Sequence, residues 1–352
     1  MKFLLVTLGS VGDILPFLAV AETLRQRRHQ VIIASNAGYG ALVRASGFEF
    51  AAIWQREQQS LDGVIGQDPA GAWAAVRRDM FDPATNPARD FIARHAGNCV
   101  VLASWTAFGA RLAHQELGVP LCNIYLSPGA AGQDDGRIAD GAALRNLGLF
   151  PAWFGDVPGV QACGFPLLED AQLPPLPPEL EVFLRQGPPP VIFTPGSFMR
   201  GADHFFRESL IACERLGLRA VFLTPYREQL PAHLPASVAH FQYVALQRLA
   251  PRSMALVHHG GIGTCAQGLR AGIAQLVTPL FFDQPDNAAR LKSLGVAEIL
   301  LPQAFVGEAA AQALSGLLSS SSVRENCRQM KAHFADQNPI GRICDIAERT
   351  AR

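Results

Sequence analysis

Short, continuous runs of apolar residues recur along the chain, and most are followed by a stretch with helical spacing. The first run is FLLVTL at residues 3–8, and helical spacing then extends from Pro16 to about residue 28. Continuous apolar runs are typical of strands that are buried on both faces, as in parallel sheets. A strand, a helix and a second strand in this order predict a βαβ unit.

The same alternation covers both halves of the chain. The predicted strands are residues 3–8, 31–34, 98–103, 121–126, 191–194, 219–224, 255–257, 275–278 and 297–301. The predicted helices are residues 16–28, 41–46, 106–117, 203–216, 262–271, 287–294, 308–318 and 322–335. Residues 35–97 otherwise alternate helical and irregular pieces, and residues 127–148 form a short loop rich in small residues. The pattern predicts an α/β fold with two doubly wound parallel sheets.

Prolines mark the predicted boundary between the halves. They cluster in LPPLPP at residues 173–178 and in QGPPP at residues 186–190. Because proline at this density does not suit a core helix or a central strand, a stiff linker is the simplest explanation. The predicted divisions are a first domain over 1–167, a linker over 168–190, a second domain over 191–335 and a final segment over 336–352.

Length and composition agree with this organisation. A chain of 352 residues with 49% apolar and 17% charged residues is long and apolar enough for two domains with separate cores. The formal net charge is zero. Long-range attraction therefore favours neither nucleic acid nor an anionic membrane surface, so we expect no nucleic-acid partner and leave peripheral membrane contact open.

The cysteines and the first residues indicate a cytoplasmic protein. The seven cysteines are scattered without a C-x-x-C pair, which favours reduced thiols, with Cys99, Cys122 and Cys213 as small core residues. The opening MKFLLVTL imitates a signal peptide, but Gly9 and Asp13 interrupt the apolar run. No segment approaches the ~20 apolar residues that a membrane helix needs.

The densest candidate chemistry lies between Met254 and Asn287. The turn HGGIGT at residues 259–264 joins a predicted strand to a predicted helix. Its glycines let the backbone approach a ligand, and the first N–H groups of a helix lack partners that a phosphate would supply. For an isolated Gly-Gly-x-Gly turn, a plain helix cap is the preferred explanation. A second polar pair, Asp283-Gln284, follows the next strand and lies at the same sheet edge, which favours a ligand site.

This segment resembles the nucleotide-sugar signature of family 1 glycosyltransferases of GT-B fold. The matching residues are His259-Gly260-Gly261-x-Gly263-Thr264-x-x-Gln267-Gly268, Ala271-Gly272 and Pro279-x-x-x-Asp283-Gln284-x-x-Asn287. The resemblance implies two Rossmann-like domains that face each other across a cleft. It also implies a donor diphosphate held by His259, Thr264 and the backbone at Gly261 and Gly263.

The resemblance assigns the remaining donor contacts. Gln267 takes the position of a glutamate that holds the ribose, so we expect weaker but retained ribose recognition, and Asp283-Gln284 would hold sugar hydroxyls. Tyr243 and the Val244 backbone stand where relatives contact the nucleobase, and Ser197 follows a neighbouring strand. No separate cofactor is expected because the nucleotide sugar is a co-substrate. The absence of a D-x-D sequence favours chemistry without a metal.

Asp13 is the candidate catalytic base. An aspartate at a helix start would repel a bound phosphate, and on the residues alone an N-cap role and a catalytic role are equally supported. The motif Gly9-Ser10-x-Gly12-Asp13-x-x-Pro16-Phe17 resembles bacterial family members that act on lipids, sterols and peptide antibiotics. There an aspartate replaces the histidine base of the plant enzymes. Ser104 stands where plant-type members have a second carboxylate, which a carboxylate base does not need.

The domains acquire roles from the same resemblance. Residues 1–167 would bind the acceptor, residues 191–335 would bind the nucleotide sugar, and residues 336–352 would cross back to the first domain as a helix. Residues 149–154, 163–167 and 109–114 resemble bacterial rhamnosyltransferases of rhamnolipid synthesis. The resulting hypothesis is an inverting hexosyltransferase that uses a dTDP-rhamnose or UDP-glucose type of donor and a small apolar, aromatic or lipid acceptor.

Two other functions fit the residues less well. A nucleotide-sugar epimerase of GT-B fold binds a diphosphate in the same way, but it needs more acid and base groups than Asp13. A non-catalytic partner that binds nucleotide sugar would be consistent with the short 127–148 region. A new sugar formed without acceptor would indicate the epimerase, and nucleotide binding without turnover would indicate the partner protein.

Overall fold

The computed structural model describes residues 1–55, 69–134, 136, 141, 143–167, 173–196, 199–335 and 337–350. The chain folds as two compact units. The first unit contains the described residues up to Pro166 and those from Gln337 onwards, and the second contains those from Leu167 to residue 335. Each unit is built on a parallel sheet with helices, which is the predicted α/β architecture.

The first sheet has seven parallel strands in the order β3-β2-β1-β4-β5-β6-β7. The strands are β1 (Lys2–Val6), β2 (Gln30–Asn36), β3 (Glu49–Trp54), β4 (Val100–Ser104), β5 (Leu121–Tyr125), β6 (Leu144–Gly148) and β7 (Gln161–Ala162). The central strand β1 pairs with β2 and β4, and its residues Phe3 to Val6 are fully buried. Burial on both faces explains the continuous apolar run.

The helices of the first unit connect these strands. They are α1 (Val11–Gln26), α2 (Gly40–Ala45), α3 (Pro69–Val76), α4 (Asp82–Ala93), α5 (Phe108–Leu117) and α6 (Pro128–Gln133). Residues Arg77–Phe81 form a π-helical turn between α3 and α4. The α5 helix ends at Gly118, which adopts a left-handed conformation with φ 67°, as expected for a glycine after a helix.

The second sheet has six parallel strands in the order β10-β9-β8-β11-β12-β13. They are β8 (Val191–Thr194), β9 (Ala220–Leu223), β10 (Val238–Phe241), β11 (Ala255–His258), β12 (Ala274–Val277) and β13 (Ala297–Ile299). The helices of this unit are α7 (Pro178–Arg185), α8 (Asp203–Leu216), α9 (Leu246–Leu249), α10 (Ile262–Ala271), α11 (Gln284–Ser293), α12 (Gly307–Ser319) and α13 (Ser321–Ala332). The predicted bounds of α10 are confirmed at both ends.

The prediction of a stiff linker over 168–190 is wrong for part of that segment. Residues Pro178–Arg185 form α7, and Leu180, Phe183 and Leu184 pack into the core of the second unit. The helix is possible because proline occupies only its first position, where the missing N–H has no helical partner. The second unit therefore begins before the strand at residue 191, at Leu167.

The last helix, α14 (Pro339–Thr350), belongs to the first unit and packs against α1. A charged cluster joins the two helices. Arg27 donates to Asp345 at 2.6 Å and to Glu348 at 3.1 Å, and His29 lies 2.8 Å from Glu348. The hydrogen bonds from His29 and Arg27 outweigh partial burial, so the pKa of Glu348 is lowered.

Several elements differ from the sequence-based expectation. Strands β3, β6, β7 and β10 were not predicted. The helix expected over 287–294 begins three residues earlier, at Gln284. All seven cysteines are buried free thiols, and burial raises the pKa of Cys213 to about 12. In the part of the chain that the structure describes, no helix has the length and apolar character needed to cross a membrane.

Candidate functional site

Both sheets reverse their strand order at one point. In the first sheet the reversal lies between β1 and β4, and in the second it lies between β8 and β11. In open α/β sheets, ligands bind outside the carboxyl ends of the strands at such a reversal. Asp13 lies at the start of the helix after β1, and His259, Gly260 and Gly261 lie in the loop after β11, so both motifs are next to a reversal of strand order.

The start of α10 is open to a ligand. Gly261 is the N-cap and provides no side-chain hydrogen bond. The N–H groups of Thr264 and Cys265 already donate to the Gly261 carbonyl, at 2.9 and 3.0 Å. The N–H groups of Gly261, Ile262 and Gly263 have no partner within the described residues. Three consecutive free donors at a helix N-terminus are suited to an anion.

The preceding residue, Gly260, is fixed by hydrogen bonds in both directions. Its N–H donates to His258 Nδ1 at 3.1 Å, and its carbonyl accepts from Asn287 Nδ2 at 3.0 Å and from the Cys265 thiol at 3.3 Å. Its φ of 90° is favourable only for glycine. A Cβ atom here would also lie 3.1 Å from the Gln284 carbonyl oxygen. The loop is therefore tightly packed against the start of α11.

His258 is a fully buried neutral histidine that the sequence analysis did not single out. Because Nδ1 accepts from Gly260, Nε2 carries the hydrogen and donates to Gln275 Oε1 at 2.9 Å. Burial lowers the pKa of His258 to about 3, with a further contribution from the neighbouring His259. The imidazole therefore stays uncharged at neutral pH.

His259 lies beside the open helix start. A Cβ on Gly261 would be 2.5 Å from His259 Nε2, and a Cβ on Gly196 would be 3.0 Å from its Cε1, so both glycines make room for the ring. Burial lowers the pKa of His259 to about 4, which a backbone hydrogen bond with Thr194 partly offsets. Its Nδ1 is enclosed and has no partner among the described residues. His259 is a neutral donor or acceptor in this state.

Thr264 and Gln267 lie on α10, in its first and second turns. Both are half-buried. The Gln267 Oε1 atom is enclosed and has no hydrogen-bond partner in the described part of the chain. Gln267 lines a cavity of about 160 Å³ together with Gln247 and Arg270. An enclosed amide oxygen beside a polar cavity can accept a hydrogen bond from a hydroxyl group.

Asp283 and Gln284 lie at the start of α11, where Asp283 is the N-cap. Gln284 is buried, and its Oε1 accepts from the N–H groups of Leu280 and Phe281 at 2.9 and 3.3 Å. The Gln284 oxygen thus supports the loop, and only its amide nitrogen is available for a sugar hydroxyl. Asp283 accepts from Asn287 Nδ2 at 2.9 Å.

The residues expected at the nucleobase have contrasting environments. Tyr243 is 68% exposed, whereas the Val244 side chain is buried in the core cluster that includes Leu180 and Leu249. The loop is thus anchored by Val244 and presents the Tyr243 ring at the surface. Ser197, also expected near the donor, lies outside the described residues.

Asp13 occupies the third position of α1 and is not the N-cap, so the capping explanation needs correction. Ser10 is the N-cap, and its hydroxyl accepts from the Gly12 N–H at 3.1 Å. The Asp13 carboxylate accepts from the Ser10 N–H at 2.5 Å, which completes a capping box. A Cβ on Gly9, whose φ is 134°, would lie 2.5 Å from this carboxylate. The carboxylate therefore folds back over Gly9 and remains half-buried.

Aromatic side chains lie at the carboxyl ends of β4 and β5. Trp105 stacks on Trp73 with ring centroids 5.2 Å apart and on Tyr125 at 6.4 Å. Trp105 and Tyr125 are buried, whereas Trp73 is half-buried. Ser104, the position of the missing second carboxylate, is hydrogen-bonded to Thr106 at 2.8 Å. The short 127–148 segment lies partly outside the described residues.

A larger cavity than the one beside Gln267 lies elsewhere. It measures about 1000 Å³ and is lined by the end of α10, the start of β12 and helices α12 and α13. It therefore lies near the amino ends of the strands, opposite the edge that carries the motifs. Among the described residues, no group of three or more histidine, cysteine, aspartate or glutamate side chains is arranged to hold a metal ion.

Two protein-family models match the chain. The N-terminal domain of glycosyltransferase family 28 matches residues 3–131, and the C-terminal domain of the erythromycin biosynthesis protein CIII-like family matches residues 221–346. The first match contains the Asp13 motif. The second contains the whole 254–287 segment.

Similar proteins cover both halves of the chain. The O-mycaminosyltylonolide 6-deoxyallosyltransferase of Streptomyces fradiae is 25% identical over 432 aligned positions, which include all of this chain and 98% of the relative. The spinosyn rhamnosyltransferase SpnG complexed with thymidine diphosphate has a TM-score of 0.78 at 18% identity, covering 98% of this chain and all of its own. The glycosyltransferase of kitacinnamycin has a TM-score of 0.77 at 20% identity, covering all of this chain and 99% of its own.

Proposed function

The chain belongs to the family 1 glycosyltransferases of GT-B fold and acts with a nucleotide-sugar donor, and from this premise we propose that it is an inverting hexosyltransferase with Asp13 as its base. The donor is a nucleoside-diphosphate sugar held in the second unit. The acceptor is a hydroxyl of a small apolar, aromatic or lipid molecule held in the first. The expected epimerase and non-catalytic alternatives are not favoured, because the matched families and relatives are transferases.

The observation that carries the proposal is the open start of α10. The free N–H groups of Gly261, Ile262 and Gly263 would donate to the diphosphate, with the His259 ring and the Thr264 hydroxyl beside them. These donors are fixed before the ligand binds, so they stabilise the negative charge that grows on the leaving diphosphate. Each fixed donor of this kind contributes about 2–4 kcal/mol to transition-state stabilisation in comparable sites.

The other donor contacts extend in two directions from the diphosphate. Gln267 would accept a hydrogen bond from a ribose hydroxyl. The exposed ring of Tyr243 would stack on the nucleobase, and the Val244 backbone would bind the edge of the base. The Asp283 carboxylate and the Gln284 amide nitrogen would bind sugar hydroxyls. Ser197 remains a candidate phosphate contact.

We favour a thymidine diphosphate 6-deoxyhexose such as dTDP-rhamnose over UDP-glucose. The Streptomyces fradiae relative is named a 6-deoxyallosyltransferase, and SpnG is a rhamnosyltransferase complexed with thymidine diphosphate. Gln267 is consistent with this choice. The deoxyribose of dTDP has one free hydroxyl and needs only one hydrogen bond to the Gln267 amide oxygen, whereas the ribose of UDP has two hydroxyls to satisfy.

The proposed reaction is a single displacement. Asp13 accepts the proton of the acceptor hydroxyl while the oxygen of that hydroxyl forms a bond to the anomeric carbon. At the same time, the bond between the anomeric carbon and the diphosphate oxygen breaks. The bonding electrons leave with the diphosphate, whose charge is stabilised at the α10 start. Attack from the face opposite the diphosphate inverts the configuration at the anomeric carbon. Proton transfer concerted with bond formation suits a weak carboxylate base.

The acceptor class is supported by the stacked aromatic rings of the first unit. Trp73 is half-buried and stacks on Trp105 at the carboxyl end of β4. A partly exposed indole favours apolar and aromatic molecules. A long alkyl alcohol and a phenol of similar size are therefore the two acceptor probes that we would test first.

The test combines donor binding with product analysis. Purified protein is heated with dTDP-rhamnose, UDP-glucose, dTDP, UDP and the free nucleosides, because a bound ligand raises the melting temperature in proportion to its affinity. We expect the diphosphates to stabilise the protein and the nucleosides to do so only weakly. The preferred donor is then incubated with each acceptor probe, and the anomeric configuration of the product is determined by NMR. Retention of configuration, or a new nucleotide sugar without acceptor, would refute the proposed mechanism.

A further inference from the structure

The direction of the Gly261 N–H is set by the Gly260 carbonyl. The two groups belong to one trans peptide unit, so they point in opposite directions. The Gly260 carbonyl points inward, where it accepts from Asn287 Nδ2 at 3.0 Å and from the Cys265 thiol at 3.3 Å. The Gly261 N–H therefore points away from Asn287, and it has no partner within the described residues.

The Asn287 amide is assigned unambiguously by its partners. Its Nδ2 faces the Gly260 carbonyl oxygen and an Asp283 carboxylate oxygen, at 3.0 and 2.9 Å. Both are acceptors, so only the NH₂ group can face them. Asn287 is fully buried. Asn287 is thus fixed by Asp283 on its own helix and holds the loop through the second hydrogen.

The other peptide unit of Gly260 is held by His258. The Gly260 N–H donates to His258 Nδ1 at 3.1 Å, and the His258 ring is fixed in turn by Gln275 at 2.9 Å. Glycine at 260 has a backbone that rotates easily, and without these two contacts the peptide after it could turn over. A turned peptide would direct the Gly260 carbonyl, instead of the Gly261 N–H, toward the bound anion.

We propose that Asn287 and His258 are positioning residues of the diphosphate site, holding Gly260 so that the Gly261 N–H faces the leaving group. The proposal rests on the proposed donor function. Neither side chain touches the ligand. Their effect on the reaction passes through one backbone peptide, and it concerns the diphosphate specifically, since the base contacts lie on another segment and the ribose contact lies further along α10.

The first test is Asn287→Leu, which keeps a similar size and removes the donor. We expect the affinity for dTDP and UDP to fall about 10-fold, equivalent to ~1.4 kcal/mol, with the affinity for thymidine and uridine unchanged. We also expect kcat to fall more than KM rises, because the lost contact strengthens as charge develops on the diphosphate. Binding is measured by calorimetry on the full chain.

A control variant separates positioning from general destabilisation. Ser209→Ala removes another buried hydrogen bond from a side chain to the backbone of the second unit, between Ser209 and the Phe205 carbonyl at 2.7 Å on α8. It should lower the melting temperature without changing affinity for either ligand class. A proportional loss of nucleoside and diphosphate affinity in Asn287→Leu would overturn the proposal.

A second pair of variants keeps the proposal testable if Asn287→Leu does not fold. His258→Asn places an oxygen near the position of Nδ1, where it can accept from Gly260, whereas His258→Gln places its polar group near Nε2. We expect His258→Asn to retain diphosphate affinity within about 3-fold and His258→Gln to lose about 10-fold. Equal affinity in the two variants would overturn the proposal. If the unaltered protein binds neither dTDP nor UDP, the donor function itself fails.

Discussion

The two sheets place different helix starts at the same topological position. At the reversal point of the first sheet, the start of α1 is closed by its own side chains, because Ser10 caps the helix and the Asp13 carboxylate accepts from the Ser10 N–H. At the reversal point of the second sheet, the start of α10 is capped by Gly261 without any side chain. One edge presents a carboxylate, and the other presents free donors.

The difference explains how one fold can provide two chemical functions. A helix N-terminus attracts an anion only while its donors are free, and a resident carboxylate both uses a donor and repels a phosphate. The start of α1 is therefore unsuited to a phosphate, and it carries the carboxylate that we propose as the base. The second unit offers no base at α10 and is suited to hold a leaving diphosphate.

The largest effect is expected from removing the basicity of the carboxylate while keeping the cap. Asp13→Asn retains an oxygen that can accept from the Ser10 N–H, but the amide cannot take a proton. Transfer should fall about 10²–10⁴-fold, the usual contribution of a general base. Affinity for dTDP should stay within about 2-fold. Steady-state kinetics and calorimetry measure the two quantities, and unchanged turnover would exclude Asp13 from the mechanism.

The next largest effect is expected when a carboxylate is placed at the open start of α10, as Asp13 is at the start of α1. Thr264 occupies the third position of α10, which is the position of Asp13 in α1. Thr264→Asp should reduce dTDP affinity about 100-fold, because a carboxylate near a phosphate costs several kcal/mol at close range. In Thr264→Asn the new side chain has the shape of aspartate without its charge, so dTDP affinity should fall by less than about 10-fold. Equal losses in the two variants, measured by calorimetry, would contradict the comparison.

A smaller effect is expected from pH, through the two fully buried histidines of the second unit. Burial lowers the pKa of His258 to about 3 and that of His259 to about 4, below the unfolded value of about 6.5. Between these values the unfolded chain binds more protons, so stability falls as the pH falls through about 6.5 towards 4. At pH 5 each of these two histidines should lower the free energy of unfolding by about 2 kcal/mol relative to pH 7.5.

The pH effect is measured by hydrogen exchange of the β11 and β12 amides, corrected for the intrinsic rate. The β1 amides of the first unit provide the internal reference. In His258→Asn, which lacks one of the two titrating groups, the loss between pH 7.5 and 5 should be about half of that in the unaltered protein. An unchanged pH dependence in this variant would show that His258 does not contribute.

The smallest effect concerns the caps themselves. Asp13→Ala removes the capping-box contact and should cost about 1 kcal/mol of stability, whereas Asp13→Asn should cost only a few tenths. Thr264→Ala should be nearly neutral, because its side chain has no hydrogen-bond partner within the described residues. Urea unfolding measures these differences. A comparable cost for Thr264→Ala and Asp13→Ala would contradict the distinction between the closed and open helix starts.

Local sequence patterns were sufficient for much of the second unit's site. The predicted helix over 262–271 is confirmed at both ends, because its glycine turn, its helical spacing and the left-handed Gly272 are all encoded within one or two turns of chain. The same applies to the buried central strands, where most residues are apolar. The family likewise followed from one continuous segment, and the two matched family models cover both motifs.

Other features depend on packing that no local pattern reveals. Strand β6 contains Arg145 and Asn146 and does not resemble a buried strand, yet Asn146 is buried because Asn123 of the neighbouring strand donates to it. Helix α7 lies inside a proline-rich segment and forms because its apolar residues enter a core made by distant strands.

The sequence by itself determined which residues carry the candidate chemistry and which helix start has a glycine cap. Only the tertiary structure decided how those groups are held: Asp13 within a capping box over Gly9, and Gly260 between His258 and Asn287. The physical reason is the range of the interactions. Helical spacing and turns act over a few residues, whereas a buried polar side chain is satisfied by whichever donor or acceptor folding brings next to it.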